Sequence, residues 1–288
     1  METIFWVSLF IILYTYIGYA LTLYVLVKLL RWLRPGKKRT EEGFLPTLTL
    51  IVAAYNEADC IEEKIHNSLS LAYPADKIHF IFVTDGSIDD TPSIVSRYPQ
   101  VKLLHTAERN GKIVAVQRAM EEVQTEIVVF SDANAIISRD ALLYICRHYN
   151  NPKTGAVAGE KRIDITTVTD ATAGEGLYWK YESKLKKWES ECYSVLGAAG
   201  ELFSIRTALY EPVATDTILD DFMISMQVSL KNYRIRYEPK AYATETGSVS
   251  IREELKRKIR IAAGGLRSLA WLTKAMITVK QTNNSLQY

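Results

Sequence analysis

Leu48-Thr-Leu-Ile-Val-Ala-Ala-Tyr55-Asn56-Glu57 decides how this chain is read, because an unbroken apolar, β-branched run ends there on an aromatic, an amide and a carboxylate. Two further runs repeat the pattern, Ile78-His-Phe-Ile-Phe-Val-Thr-Asp85-Gly-Ser and Glu126-Ile-Val-Val-Phe-Ser-Asp132-Ala-Asn134. Strands buried on both faces of a parallel sheet read as continuous hydrophobic runs rather than as alternation. In open α/β sheets ligands bind beyond the carboxyl ends of such strands. Strand ends bearing oxygen side chains in series therefore predict a cleft that gathers a metal ion and a phosphorylated ligand.

The segments between these runs have helical spacing. Asn56 to Leu71 carries Ile61, Ile65 and Leu69 before Pro74, and Asp89-Asp90-Thr91-Pro92 combines an N-cap candidate with a first-turn proline. Gly111 to Val123 and Ser138 to Tyr149 supply two more helices, and Gly155-Ala-Val-Ala-Gly-Glu a further strand. Such alternation up to about residue 160 predicts an α/β fold with a doubly wound parallel sheet. Beyond residue 165 the alternation fades. Ala173 to Ser190 is amphipathic and rich in Tyr, Trp, Lys and Glu, and the turn Gly197-Ala-Ala-Gly200 leads into a strand over Glu201 to Ile205. Asp220 and Asp221 open a helix over Phe222 to Leu230, and Arg234 to Tyr237 reads as a strand.

The 288 residues suffice for one large or two small domains with a substantial core. A net charge of +2 gives no footing for electrostatically driven binding of nucleic acid. Cys60, Cys146 and Cys192 lie far apart without CxxC pairing, which argues against a zinc site or a disulfide framework and fits a reducing compartment. Thr3 to Val27 holds no charged residue. At ~1.5 Å per residue it is longer than a ~30 Å hydrocarbon layer, so it predicts a transmembrane helix. A cleaved leader would begin with a basic stretch and a shorter apolar run, whereas this chain has Glu2. Trp6 and Trp32 bracket the span, and Lys28, Arg31, Arg34, Lys37, Lys38 and Arg39 follow it, which places the remainder in the cytosol at the inner membrane. Residues 34–46 are basic, polar and closed by Pro46, and read as a linker. Ile251 to Trp271 sets Leu255, Ile259, Ala262 and Leu266 against Arg252, Lys256, Arg257, Lys258, Arg260 and Arg267, the pattern of a helix lying on a membrane surface.

Asp132 and Asn134, at i and i+2 past a strand, can reach one hard cation and the diphosphate it bridges, although an Asx-turn has the same signature. Asp85 can accept hydrogen bonds from a ribose or a base, while Asp89 or Asp90 caps the following helix. Tyr55, Asn56 and Glu57 either cap a helix or hold a nucleoside by stacking and amide contacts. Arg109-Asn-Gly111-Lys112 puts a cation beside a glycine, where backbone can approach phosphate, or else Lys112 is a solvated lysine at a helix start. Tyr178, Trp179, Tyr181 and Trp188 form a sugar-stacking platform or pack beneath the sheet or at the membrane. The four histidines fall in no ligand-like spacing.

Ala54-Tyr-Asn-Glu57, Asp85-Gly-Ser87, Gly111-Lys112, Asp132-Ala-Asn134, Gly197-Ala-Ala-Gly200, Leu219-Asp-Asp221 and the Arg257/Arg260 segment occur in one order across about residues 47–268. In this the chain resembles membrane-bound family 2 glycosyltransferases, akin to the bacterial synthases of cellulose, hyaluronan and poly-N-acetylglucosamine. The resemblance implies a GT-A type sheet with helices on both faces, spanning residues 47–248 as a catalytic domain. A membrane anchor over 1–33 and the 34–46 linker would precede it, and an interface helix with a polar tail over 249–288 would follow. It implies that Tyr55, Asn56, Glu57 and Asp85 bind the uridine of a UDP-sugar, with Lys112 and Gly200 near the nucleotide-sugar. Asp132 with Asn134 would hold Mg²⁺ or Mn²⁺ on the diphosphate. Asp221 would be the catalytic base, with Asp220 the rival for that role and for capping the helix, and Arg257 and Arg260 would meet the pyrophosphate. Asn134 stands where many relatives carry a second Asp, Arg257 where they carry Gln, and Ile261 where they carry Trp.

The chemistry asks for the same groups. Sugar transfer from a nucleotide needs a cation against the charge on the departing diphosphate and a base for the acceptor hydroxyl. One carboxylate and one displacement give inversion, with a polysaccharide or a lipid-linked glycan as acceptor. A secretion channel needs several helices, and with one span visible it would come from a membrane partner subunit, unless the chain is shortened or the product stays inside. A non-catalytic nucleotide-sugar-binding subunit is the alternative from another class. A dinucleotide oxidoreductase is disfavoured because no G-x-G-x-x-G follows the first strand.

Overall fold

The structure is a computed structural model that describes residues 1–33, 44–164, 173–246 and 251–285. Most of the expected linker, the side chains of Tyr178 and Arg252, and the end of the polar tail lie outside the described residues.

The chain opens with α1 (Glu2–Leu13), a π-helical turn over Tyr14–Gly18, and α2 (Tyr19–Leu33). Together, Glu2–Leu33 is the one helix among the described residues long and apolar enough to cross a membrane. The globular part follows as β1 (Leu48–Ala54), α3 (Ile61–Leu69), β2 (Ile78–Asp85), α4 (Thr91–Val95), β3 (Lys102–Thr106), α5 (Lys112–Met120), β4 (Ile127–Asp132), β5 (Ile136–Ile137), α6 (Ala141–His148) and β6 (Thr154–Asp164). It continues with α7 (Ala173–Cys192), β7 (Phe203–Arg206), α8 (Asp220–Leu230), β8 (Arg234–Thr246) and α9 (Ile251–Ser285).

These strands form one sheet in the order β3-β2-β1-β4-β7-β6-β8-β5. The β3-β2-β1-β4 half is parallel, as the apolar runs predict. The doubly wound parallel expectation does not extend to the rest. β7 runs antiparallel to both β4 and β6, β6 pairs parallel with β8, and β5 is antiparallel to β8. The cause lies in where the chain re-enters. The Gly197–Gly200 turn delivers β7 beside the carboxyl end of β4, with Phe203 opposite Phe130, so β7 can only run back down the sheet.

Successive strand side chains point to opposite faces, and both faces of β1 are covered. Leu48, Leu50 and Val52 join Ile61 and Ile65 of α3 and Leu142 and Ile145 of α6 in one core. Ile51 joins Ile113 and Val116 of α5 and Ile224 and Val228 of α8 in the other. Sequential strands build outward from β1 to one side as far as β3, then β4 pairs on its other side. The crevice at such a reversal, beyond the β1 and β4 carboxyl ends, is where open α/β sheets bind ligands.

Outside the sheet, α7 lies along α2. Trp188 sits 5.4 Å from the Tyr24 ring, Glu191 pairs with Arg31 at 2.6 Å, and Tyr181 donates to the Tyr16 carbonyl. Tyr181 and Trp188 therefore pack against the N-terminal helix. On α9, Leu255, Ile259, Leu266 and Leu269 are exposed, while Gly264 presses on Ile218 and Leu219 and Arg267 pairs with Asp216.

Candidate active site

A cleft of about 290 Å³ lies at the crevice, lined among others by Tyr55, Glu57, Asp85, Arg109, Lys112, Asp132 and Asn134. Its first end is shaped by Asp85, the last residue of β2. The buried carboxylate accepts the Asn110 and Gly111 amides on Oδ2 at 2.8 and 2.6 Å. Gly86 follows at φ +69°, and a Cβ there would lie 2.6 to 2.8 Å from Arg109 Cβ, Cα and N, so only glycine admits this approach. The loop so held lays the Arg109 guanidinium 3.8 Å from the centroid of the Tyr55 ring.

Asn56 lies in the left-handed region at φ +52°, which Asn tolerates better than most residues. Its amide oxygen accepts the Ile88 N–H at 2.9 Å, and it is not among the residues lining the cleft. Its side chain joins the loops after β1 and β2. Asp89 accepts the Thr91 and Ala58 amides at 3.1 and 3.0 Å, while Asp90, the N-cap of α4, makes no side-chain cap bond.

Where Lys112 and Asp132 wall the cleft, a smaller pocket adjoins it, lined also by Gly200 and Asp220, and four elements meet there. Lys112, the first residue of α5, places Nζ 2.7 Å from Asp132 Oδ1 and 3.9 Å from Asp220 Oδ2. Gly200 stands beside them. A Cβ at that position would sit 3.3 Å from Asp221 Oδ2, 3.4 Å from Asp132 Oδ2 and 3.7 Å from Lys112 Nζ. The N-cap of α8 is Leu219, so Asp220 does not cap the helix and both aspartates occupy its first turn. Asp221 Oδ1 accepts the Phe222 N–H at 2.7 Å. Burial, and then the neighbouring Asp220 carboxylate, push the Asp221 carboxyl up to about 7. Burial alone would lower the Lys112 ammonium, but Asp132 and Asp220 outweigh it and hold the group above the ordinary lysine value.

Asp132 Oδ2 is left free of the lysine that holds Oδ1, and Asn134 adds an amide oxygen two residues on. No cluster of three or more His, Cys, Asp or Glu side chains suited to a metal occurs among the described residues. One carboxylate and one amide nevertheless suit Mg²⁺ or Mn²⁺, because Mg²⁺ is commonly held by one or two carboxylates with substrate phosphates completing the shell. The space that Gly200 leaves open beside Asp132 suits such a group.

Arg257 and Arg260 lie on α9 and do not line the cleft. Two residues escaped the sequence reading. The sequence marks Arg109 only as a cation in a glycine-bearing loop, and its place over the Tyr55 ring comes from the fold. Lys64 reads as one more residue of an amphipathic helix, yet it is completely buried on the same face as Ile61, Ile65 and Ser68. A lysine at i+3 on an apolar face was the available signal.

A mixed sheet of this order, with strand-end acids and a glycine turn around one cleft, defines a glycosyltransferase of the GT-A type. The chain belongs to glycosyl transferase family 2, whose family model matches residues 49–212. It is 27% identical over 228 residues to the poly-β-1,6-N-acetyl-D-glucosamine synthase of Staphylococcus aureus (strain MSSA476), covering 77% of this chain and 55% of that protein. With the enzyme of that name from Staphylococcus epidermidis the figures are 26% over 234 residues, 79% and 56%. The chain thus spans about half the length of the curated relatives it matches. Among solved structures, a mannosyltransferase from Pyrobaculum calidifontis in complex with GDP-Man and Mn²⁺ superposes with a TM-score of 0.73 at 28% identity, covering 91% of this chain and 73% of that one.

Proposed function

We propose that this chain is a membrane-anchored, metal-dependent, inverting glycosyltransferase. It would move a hexose from a UDP-sugar to a glycan or lipid-linked acceptor on the cytosolic side of the inner membrane. The observation that carries the reading is the convergence of Lys112, Asp132, Gly200, Asp220 and Asp221 at one end of a cleft whose other end presents Tyr55 and Arg109.

In this reading the base stacks on Tyr55 beside Arg109, with Glu57 and Asp85 bordering the nucleoside. The diphosphate meets the N-terminal amides of α5 and the Lys112 ammonium, where the helix dipole favours an anion. Asp132 and Asn134 would hold Mg²⁺ or Mn²⁺, which when bound neutralises charge on the departing diphosphate. The pyrophosphate is thus assigned to α5 and Lys112 rather than to Arg257 and Arg260. Asp221 takes the proton of the acceptor hydroxyl while that hydroxyl's oxygen bonds to the anomeric carbon. The carbon–oxygen bond to the diphosphate breaks on the opposite side, its electron pair leaves with the nucleotide, and the configuration inverts. A carboxyl that titrates near neutrality suits a general base.

The relatives' names support N-acetylglucosamine as the sugar, and UDP-glucose is the alternative; GDP-Man is the competitor raised by the solved neighbour. Detergent-purified protein should release UDP from UDP-N-acetylglucosamine or UDP-glucose with Mg²⁺ or Mn²⁺, and Asp221→Asn should abolish that release. Equal background from both proteins would support a binding subunit instead, and release of GDP alone from GDP-Man would overturn the donor.

A further inference from the structure

Below the cleft, the Lys64 ammonium donates to Ser131 Oγ at 2.7 Å and to the Ala135 carbonyl. These residues stand immediately before and after the Asp132-Ala133-Asn134 turn. The Ser131 hydroxyl in turn donates to the Glu201 carbonyl at 2.8 Å, and Glu201 directly follows Gly200. The Glu201 side chain pairs with Lys161, which also reaches Glu245 at 2.5 Å. A continuous polar seam therefore runs from α3, under the metal-side turn, to the glycine turn and across to β6 and β8.

Lys64 sits there at a cost. Burial pushes its ammonium down to about 7 against the pull of Asp132 and Glu245. Its direct partners are a hydroxyl and a carbonyl, not a carboxylate, and a buried charge is tolerated only when well hydrogen-bonded. Methionine would fill the same space without desolvating a charge. What methionine cannot do is grip both flanks of the turn.

We propose that Lys64 is a positioning residue for the metal-binding end of the cleft. It fixes the Ser131–Ala135 turn and, through Ser131, the Gly200–Glu201 turn in one spacing, so that Asp132 and Asn134 present their oxygens together. The proposal rests on the transferase reading of the cleft. Partners that orient metal ligands are worth roughly 10- to 100-fold in metal affinity when removed.

The test titrates Mn²⁺ into the detergent-purified full chain with UDP, and separately with GDP, following free Mn²⁺ by electron paramagnetic resonance. Lys64→Met should weaken Mn²⁺ uptake by about 10- to 100-fold, leave metal-free binding of the nucleotide unchanged, and retain a cooperative thermal transition. Ser131→Ala should shift uptake in the same direction by less. Wild-type Mn²⁺ affinity in Lys64→Met, with only the thermal transition lowered, would make Lys64 merely structural and overturn the proposal. Should Lys64→Met fail to fold, unchanged uptake in Ser131→Ala overturns it alone. If the wild-type chain takes up no Mn²⁺ with either nucleotide, the transferase reading falls and this proposal with it.

Discussion

At the end of the cleft proposed for the nucleoside, Asp85 gives its carboxylate to the chain itself, bonding the Asn110 and Gly111 amides, whereas at the end proposed for transfer Asp132, Asp220 and Asp221 crowd around a single lysine. The first arrangement is complete without a ligand, and it holds Arg109 over Tyr55 in advance. The second is not. Acids outnumber cations there, and burial and then Asp220 push the Asp221 carboxyl up to about 7 by opposing its ionisation. On the proposed reading, nucleotide recognition is built into backbone geometry, while transfer depends on charge left uncompensated until the ligands arrive.

The sharpest way to break this contrast is Asp221→Asn. It should lower kcat by about 10²- to 10⁴-fold and leave the nucleotide Kd, measured by calorimetry, within twofold. A matching loss of nucleotide affinity would show that the two ends are not separate. Asp85→Ala should do the reverse. Freeing two amides from a charged acceptor costs about 1.5 to 3 kcal/mol, expected as a donor KM raised roughly 10- to 100-fold with kcat little changed. A fall in kcat at saturating donor would contradict it.

The pH profile sharpens the contrast further. As the proposed base Asp221 would work ionised, so kcat/KM should be lost as pH falls through about 7. Because Asp220 helps raise that value, Asp220→Asn should move the acidic limb to lower pH. A limb that stays in place assigns the whole shift to burial. The smallest effect is expected from Arg109→Ala, which removes a cation–π contact worth about 0.5 to 2 kcal/mol and should weaken nucleotide binding from a few-fold to some 30-fold by the same calorimetric measurement. An unchanged Kd would remove Arg109 from the base site.

The nucleoside half of this contrast was legible in the sequence, and physics says why. β1, β2 and β4 are buried on both faces, which demands the unbroken apolar runs that reveal them, and their ends place Tyr55, Asp85 and Asp132 without further information. β3 lies at the sheet edge with Lys102 and His105 exposed, so its run is broken and was not singled out. Strand direction in the second half depends on where the chain re-enters the sheet, and no composition encodes that. The meeting of Lys112, Gly200 and Asp221 joins positions up to 109 residues apart and was foreseen only through the order of family motifs. Lys64 looked like any helical lysine because its partners at 131 and 135 come from the far side of the sheet's crossover.

The contact between α7 and the N-terminal helix fixes how that helix is joined to the sheet. α1 buries no residue, but past the π-turn α2 buries Leu23 and Val27, and Tyr19 bonds Glu189 of α7 at 2.6 Å. α7 is in turn fastened to β8, where the Tyr237 amide and hydroxyl each reach a serine of α7 at 3.0 Å. A domain hung from a loose leash would swivel beneath the bilayer. Here the helix acts as a keel: were Glu2–Leu33 to enter a membrane, the side-chain packing of α2 on α7 would set the bearing of the sheet relative to it.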